Sequence, residues 1–278
     1  MSGLRETITN QVRTMVGPSI DRAAVARRHP EPGMFGPGSA VWAVHRDLPA
    51  MMIGGTAGLL LQMLHPTALA GVYDHSNFRG DALGRLRRTV DFITATTYGT
   101  TAEADAAVAQ IRRIHDHVTG HLPDGTSYAA NDPVLLRWVH VCGAWSFMAA
   151  YLRYRDPGYP LAAQDRYFGE TARVSRALGA VDVPATRSAV DAYLEAMRPT
   201  LAVDQRTRDV ARALLTQAVA SAPVPALGRL MQAAGIDLLP SWAASLHGLP
   251  RSLLATPFVR AGAGGIGAAL RWALDGAR

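Results

Sequence analysis

Lysine is absent from this chain. All 28 basic residues are arginines, set against 22 acids for a formal charge of +6. Such an excess ordinarily suggests nucleic acid or an anionic surface as partner. Here the pairs Arg27-Arg28, Arg87-Arg88 and Arg112-Arg113 are scattered, and no aromatic residues are interleaved with them as a base-stacking platform requires. No nucleic-acid partner is expected. Cysteine is nearly absent as well: Cys142 stands alone, so an internal disulfide framework and a structural zinc site are both excluded. A reducing cytoplasm is the expected compartment. Charged residues are few, at 18%, and hydrophobic ones make up 49%, which excludes an extended disordered chain.

Targeting and membrane signals are missing too. Met1-Ser2-Gly3-Leu4-Arg5-Glu6 places an acid where a signal peptide needs an apolar core, and Arg27-Arg28 runs into His29-Pro30-Glu31-Pro32 instead of an apolar segment, so no cleavable signal is expected. The longest uncharged apolar stretch, Leu48 to Leu64, carries Gly54, Gly55 and Gly58. It is shorter than the roughly 20 residues of a spanning helix, so it reads as a buried core helix and no transmembrane segment is expected. Several catalytic motifs are also lacking. None of Glu103, Glu170 and Glu195 has a histidine three positions on, as di-iron bundles require. Neither His-Glu-x-x-His nor Gly-x-Ser-x-Gly occurs. Gly262-x-Gly264-x-x-Gly267 has the form of a dinucleotide loop but follows no strand, so it reads as a flexible turn.

What is present is helix after helix. Leu4, Ile8, Val12 and Met15 recur at helical spacing, giving an N-terminal arm over 1–35 with a short helix. The Pro- and Gly-rich stretch 29–38 separates it from a body over 36–278. The buried helix from Leu48, with Pro49 in its first turn, closes at His65-Pro66. After an irregular segment around 73–78, a helix is expected over 83–98. Thr100-x-x-Glu103 forms a capping box that opens a helix to Gly120. Asp132-Pro133 starts a helix that is apolar on nearly every side through Tyr151, the expected centre of the domain. Further helices are expected at 161–178, 185–198, 203–220, 225–235 and 266–275. The fold class is therefore all-α, a single multi-helix globular domain around a buried central helix.

On the helix after Thr100, with Ile111 at zero and about 100 degrees per residue, Ala107, Val108, Ile114 and Val118 fall within about 60 degrees of Ile111 and His115 at about 40 degrees. His117 lies about 160 degrees from His115, so the two cannot chelate one metal. A histidine in an apolar stripe is either a satisfied core residue or a neutral imidazole of the kind a haem iron takes. Arg85, Arg88 and Thr89 stand three and four residues apart on one face, forming either a solvated basic face or a grip for an anionic group. His65 can cap the last carbonyls of a helix, and His140, among Trp138, Val139 and Val141, can pack in the core.

Taken in order, Leu64-His65-Pro66, Arg85-x-x-Arg88-Thr89, Arg113-Ile114-His115-x-x-Val118-x-Gly120 and Asp132-Pro133-x-Leu135-Leu136-x-Trp138-x-His140 resemble the family of the oxygenase MpaB and the latex-clearing rubber oxygenases. The similarity extends from about Gly36 to about Arg212, with the following residues weakly placed. The resemblance implies an all-helical haem b protein with His115 as the iron ligand and Arg85, Arg88 and Thr89 as the cluster near it. His65 and His140 join Arg85 as further residues of the cofactor site. Arg88 stands where rubber oxygenases carry lysine, a flexible point charge replaced by a planar fork. Their distal acid has no clear counterpart, Asp74 and His75 being the candidates. The expected activity is oxidation of a small, mostly apolar substrate with dioxygen, by double-bond cleavage or hydroxylation. The alternatives are a haem sensor or carrier without turnover and a cofactor-free helical interaction domain.

Overall fold

Glycine and proline set the frame of the molecule by deciding where helices begin and where they touch. The computed structural model describes residues 31–220, 225–249 and 254–275 with a few positions before 31, and leaves aside the side chains of 82, 83, 85, 86, 218–220 and 275. The apolar positions of the expected opening helix, Leu4, Ile8, Val12 and Met15, lie outside the described residues. Twelve helices are described. They are α1 (Ala40–His45), α2 (Leu48–Gln62), α3 (Pro66–His75), α4 (Ala82–Tyr98), α5 (Thr101–His115), α6 (Pro133–Tyr154), α7 (Leu161–Leu178), α8 (Arg187–Met197), α9 (Gln205–Ala220), α10 (Pro225–Leu238), α11 (Ser241–Leu246) and α12 (Thr256–Asp275). The fold is all-α apart from a hairpin of β1 (Thr119–His121) and β2 (Ser127–Ala129).

The centre is the pair α2 and α6. Asp47 caps α2 by accepting from Ala50 N at 3.0 Å, and Asp132 caps α6 by accepting from Val134 N at 2.7 Å. Proline enters the first turn of both, where its missing N–H costs nothing. The two helices approach through small residues: a Cβ on Gly54 would stand 2.8 Å from Ser146 O and 3.0 Å from Phe147 Cα. Trp138, fully buried, donates its indole N–H to Gln62 O at 3.0 Å, tying α6 to the end of α2. At His65-Pro66 the chain turns by 106° from α2 into α3. Among the described residues no single helix is long and apolar enough to cross a membrane.

Around this pair, α10 and α12 cover α2, while α1, α7 and α8 pack on the α6 side. Helices α4 and α5 form an antiparallel pair seated on α1 and α7, and α9 closes against α3, α4 and α10. Two buried carboxylates fasten the later helices to the core. Asp47 accepts from Arg271 of α12 at 2.6 and 3.0 Å, and Asp237 of α10 accepts from Arg153 of α6 at 2.8 Å and from Arg260 of α12 at 2.8 and 3.1 Å.

Three expectations are corrected. Gly262-x-Gly264-x-x-Gly267 lies inside α12 instead of in a turn, and that helix begins at Thr256, not 266. A Cβ on Gly262 would meet Leu230 Cδ2 at 2.8 Å, so this glycine permits the contact of α12 with α10. Helix α3 continues through Tyr73, Asp74 and His75, where irregular chain was expected. The helix opened by Thr100 stops at His115 instead of Gly120. Beyond it β1 pairs antiparallel with β2, Gly120 opposite Tyr128, through a turn in which Gly125 takes φ +89°, a conformation that favours glycine.

Candidate functional site

Helix α5 begins with the capping box anticipated from its sequence: Thr100 Oγ1 accepts from Glu103 N at 3.2 Å, and Glu103 accepts from Thr100 N at 2.8 Å. Its inner row runs through Ala104 and Val108, both buried, to Ile111 and His115. Ile114 leaves that row and is 48% exposed, against the expected stripe, one residue before the helix ends. His115 is half-buried while His117 is exposed. Burial lowers the pKa of His115, with Asn131 and Asp116 acting in the opposite direction, so the ring is neutral near pH 7. Its Nδ1 is buried and has no hydrogen-bond partner.

Asn131 follows the hairpin and lies against the same turn. Its Nδ2 donates to Arg112 O at 3.2 Å and to Asp116 Oδ1 at 2.6 Å, and its Oδ1 is buried without a partner. The hairpin brings it there: Ala130 N donates to Val118 O at 2.9 Å, so the chain returns alongside the end of α5 before Asp132 opens α6.

Of the α4 residues, Arg88 has 66% of its side chain exposed and pairs with Asp81 at 3.3 Å, while Thr89 is exposed. The side chain of Arg85 lies outside the described residues. His65 occupies the N-cap position of α3, but its side chain makes no capping hydrogen bond. Its Nδ1 instead shares a hydrogen bond of 2.9 Å with Thr67 Oγ1, and its ring lies 6.1 Å from that of Trp138. His140 projects from α6 with its pKa lowered to about 4, first by burial and then by the charge of Arg176.

A residue that the sequence did not single out, His45, completes a second polar group. Its Nδ1 lies 2.9 Å from Thr97 Oγ1 and its Nε2 lies 3.2 Å from Tyr167 OH. Burial, and then His140, lower its pKa to about 3. Both rings keep some accessible surface while losing the solvation that would stabilise their charged forms. The remaining candidates, Asp74 and His75, are engaged elsewhere. Asp74 accepts from Tyr128 OH at 2.7 Å and pairs with Arg206, and His75 Nε2 donates to Thr119 O at 3.1 Å. Together they hold the hairpin on α3.

Among the described residues no three His, Cys, Asp or Glu side chains converge as a metal cage. A lone neutral imidazole cannot hold a bare divalent ion, but it suits a metal whose other ligands arrive with a macrocycle. His115, half-buried and with its pKa lowered by burial, offers such an imidazole. A cleft of about 740 Å³ between residues 31–39 and Arg166, Glu170 and Arg173 has no lining residue on α5.

Residues 42–272 match the family model described as "ER-bound oxygenase mpaB/B'/Rubber oxygenase, catalytic domain". The match extends about sixty residues beyond Arg212, where the resemblance read from motifs faded. No curated protein and no solved structure matches the chain.

Proposed function

The chain belongs to the family of mpaB-type and rubber oxygenase catalytic domains, and from this we propose that it is a haem b-dependent oxygenase acting with dioxygen on a small, mostly apolar substrate, with His115 as the iron ligand. The observation that carries the reading is the half-buried imidazole of His115 at the end of the inner face of α5, its pKa lowered by burial. Bound haem supplies the iron at which dioxygen is activated, chemistry that belongs to the cofactor.

The chain's own residues hold, orient and exclude water. Helix α4 packs on α5, so Arg85, Arg88 and Thr89 belong to the element next to the ligand. Arg88 can exchange its exposed pairing with Asp81 for a carboxylate of the cofactor or substrate, a charge-assisted bond. His45 and His140, neutral at pH 7, offer polar contacts without placing a second cation in the interior, and His65 stands against Trp138 at the start of α3.

The test is the absorption spectrum of protein produced with a haem precursor, oxidised and dithionite-reduced, for the wild type, His115→Ala and His117→Ala. The expected result is a Soret band that is lost or strongly shifted in His115→Ala and kept in His117→Ala. Equal haem content in the wild type and His115→Ala would sink the ligand assignment. Haem retention without oxygen uptake on any apolar alkene or phenolic compound would instead leave a carrier.

A further inference from the structure

We propose that Asn131 is the positioning residue of His115: its Oδ1 accepts the Nδ1–H of the imidazole, fixing the ring's rotation and tautomer and leaving Nε2 as the free lone pair. The first ground is geometric. The amide of Asn131 is pinned by its own Nδ2, which donates to Arg112 O at 3.2 Å and to Asp116 Oδ1 at 2.6 Å. These acceptors belong to residues on either side of His115 in the last turn of α5. With Nδ2 so engaged, the amide plane is set and Oδ1 is directed elsewhere on the same turn.

The second ground is a matched pair of deficits. Asn131 Oδ1 is a buried acceptor without a donor, and His115 Nδ1 is a buried ring nitrogen without a partner. Each orphan costs about 1–3 kcal/mol if left unsatisfied, and one hydrogen bond between the two would satisfy both.

The third ground is the rigidity of the mount. Residue 131 sits between the Ala130 N to Val118 O bond and the Asp132 N to Ala129 O bond of 3.0 Å, and the next residue caps α6. The hairpin thus fixes Asn131 from the backbone while returning it to α5 from 15 residues further along the chain. Partners of this kind orient a metal-bound histidine and raise its basicity. That consequence rests on the haem reading above; the hydrogen bond itself does not.

The experiment begins on the haem-free full chain, labelled with ¹⁵N-histidine. Long-range ¹H–¹⁵N correlation at pH 7.5, assigned by the loss of one spin system in His115→Gln, should show His115 as the Nδ1–H tautomer. Asn131→Ala should convert it to a mixed population. The double variant Asn131→Asp/Asp116→Asn, which reverses the 131–116 bond and keeps an acceptor toward His115 but gives up the donor to Arg112 O, should restore it in part. In the second arm, titration with haemin should show affinity falling about 10–100-fold in Asn131→Ala and recovering in part in the double variant. A wild-type His115 found as the Nε2–H tautomer, or a tautomer unchanged in Asn131→Ala, overturns the proposal without recourse to any variant's activity. If the tautomer pattern holds but His115→Ala binds haemin as well as the wild type, the positioning stands and the haem ligation falls.

Discussion

Replacing Gly54 with alanine sets two effects of known size against each other. An alanine in a helix interior is favoured over glycine by about 1 kcal/mol, so on propensity alone the variant should gain stability. The new methyl group would stand 2.8 Å from Ser146 O and 3.0 Å from Phe147 Cα. Both are main-chain atoms of α6 and cannot swing aside. Relief requires moving one central helix off the other, and forced overpacking of that kind costs about 1–3 kcal/mol. The net expectation is a loss of about 0–2 kcal/mol. The adjacent position is the control, because a Cβ on Gly55 would meet only Phe147 Cε1, at 3.9 Å. Gly55→Ala should therefore gain about 0.5–1 kcal/mol. Urea denaturation followed by far-UV circular dichroism reads the difference as opposite shifts of the midpoint at constant slope. If Gly54→Ala proves as stable as Gly55→Ala, the close crossing of α2 and α6 is wrong.

Asp47→Ala removes the acceptor of Arg271, whose side chain is only 18% exposed, and should destabilise by about 3–5 kcal/mol. That corresponds to a melting point lower by roughly 6–20 °C in a domain of this size, and Asp47→Ala/Arg271→Met should recover part of it in a double-mutant cycle. The pH dependence follows from His45 and His140, held at about 3 and about 4 in the folded protein. Unfolded histidines take up protons below about 6.5, which the folded rings refuse. The stability is complete above that pH and is lost toward pH 3–4, each ring contributing up to about 1.4 kcal/mol per unit. Chemical denaturation at pH 7 and pH 5 should show the loss, and His45→Phe should reduce it; an unchanged slope with pH in that variant contradicts the burial of His45.

Helix starts were legible because their chemistry is local: Pro49, Thr100-x-x-Glu103 and Asp132-Pro133 all stand at the starts of the helices they announce, while the cap from Asp47 became visible only in the structure. Helix ends were less so. Val118 continues the 3.6-residue stripe of α5, and that periodicity outweighed Pro123-Asp124-Gly125, a turn signature that marks the hairpin in the sequence. The glycines of 262–267 suggested a turn, yet their role depends on a neighbour, Leu230, which no local pattern reveals. At the candidate site, His115 was legible as the histidine of an apolar face. His45 was not, since its partners Thr97 and Tyr167 lie 52 and 122 residues away. Asn131 was overlooked because Asp132-Pro133 beside it carries the stronger local signal, and its contact with α5 exists only once the hairpin has formed.

The bond between Asp47 and Arg271 joins residues 224 positions apart, and this has a consequence for biosynthesis. Ribosomes add about 5–20 residues per second, so roughly 11–45 seconds separate the emergence of the carboxylate from that of its guanidinium. Throughout that interval α2 can form with its cap in place, while the acid at its head has only the longer pairing with Arg155, at 3.7 Å, to offset its burial. A chain stalled before Arg271 is therefore expected to hold its central helices less tightly than the finished protein.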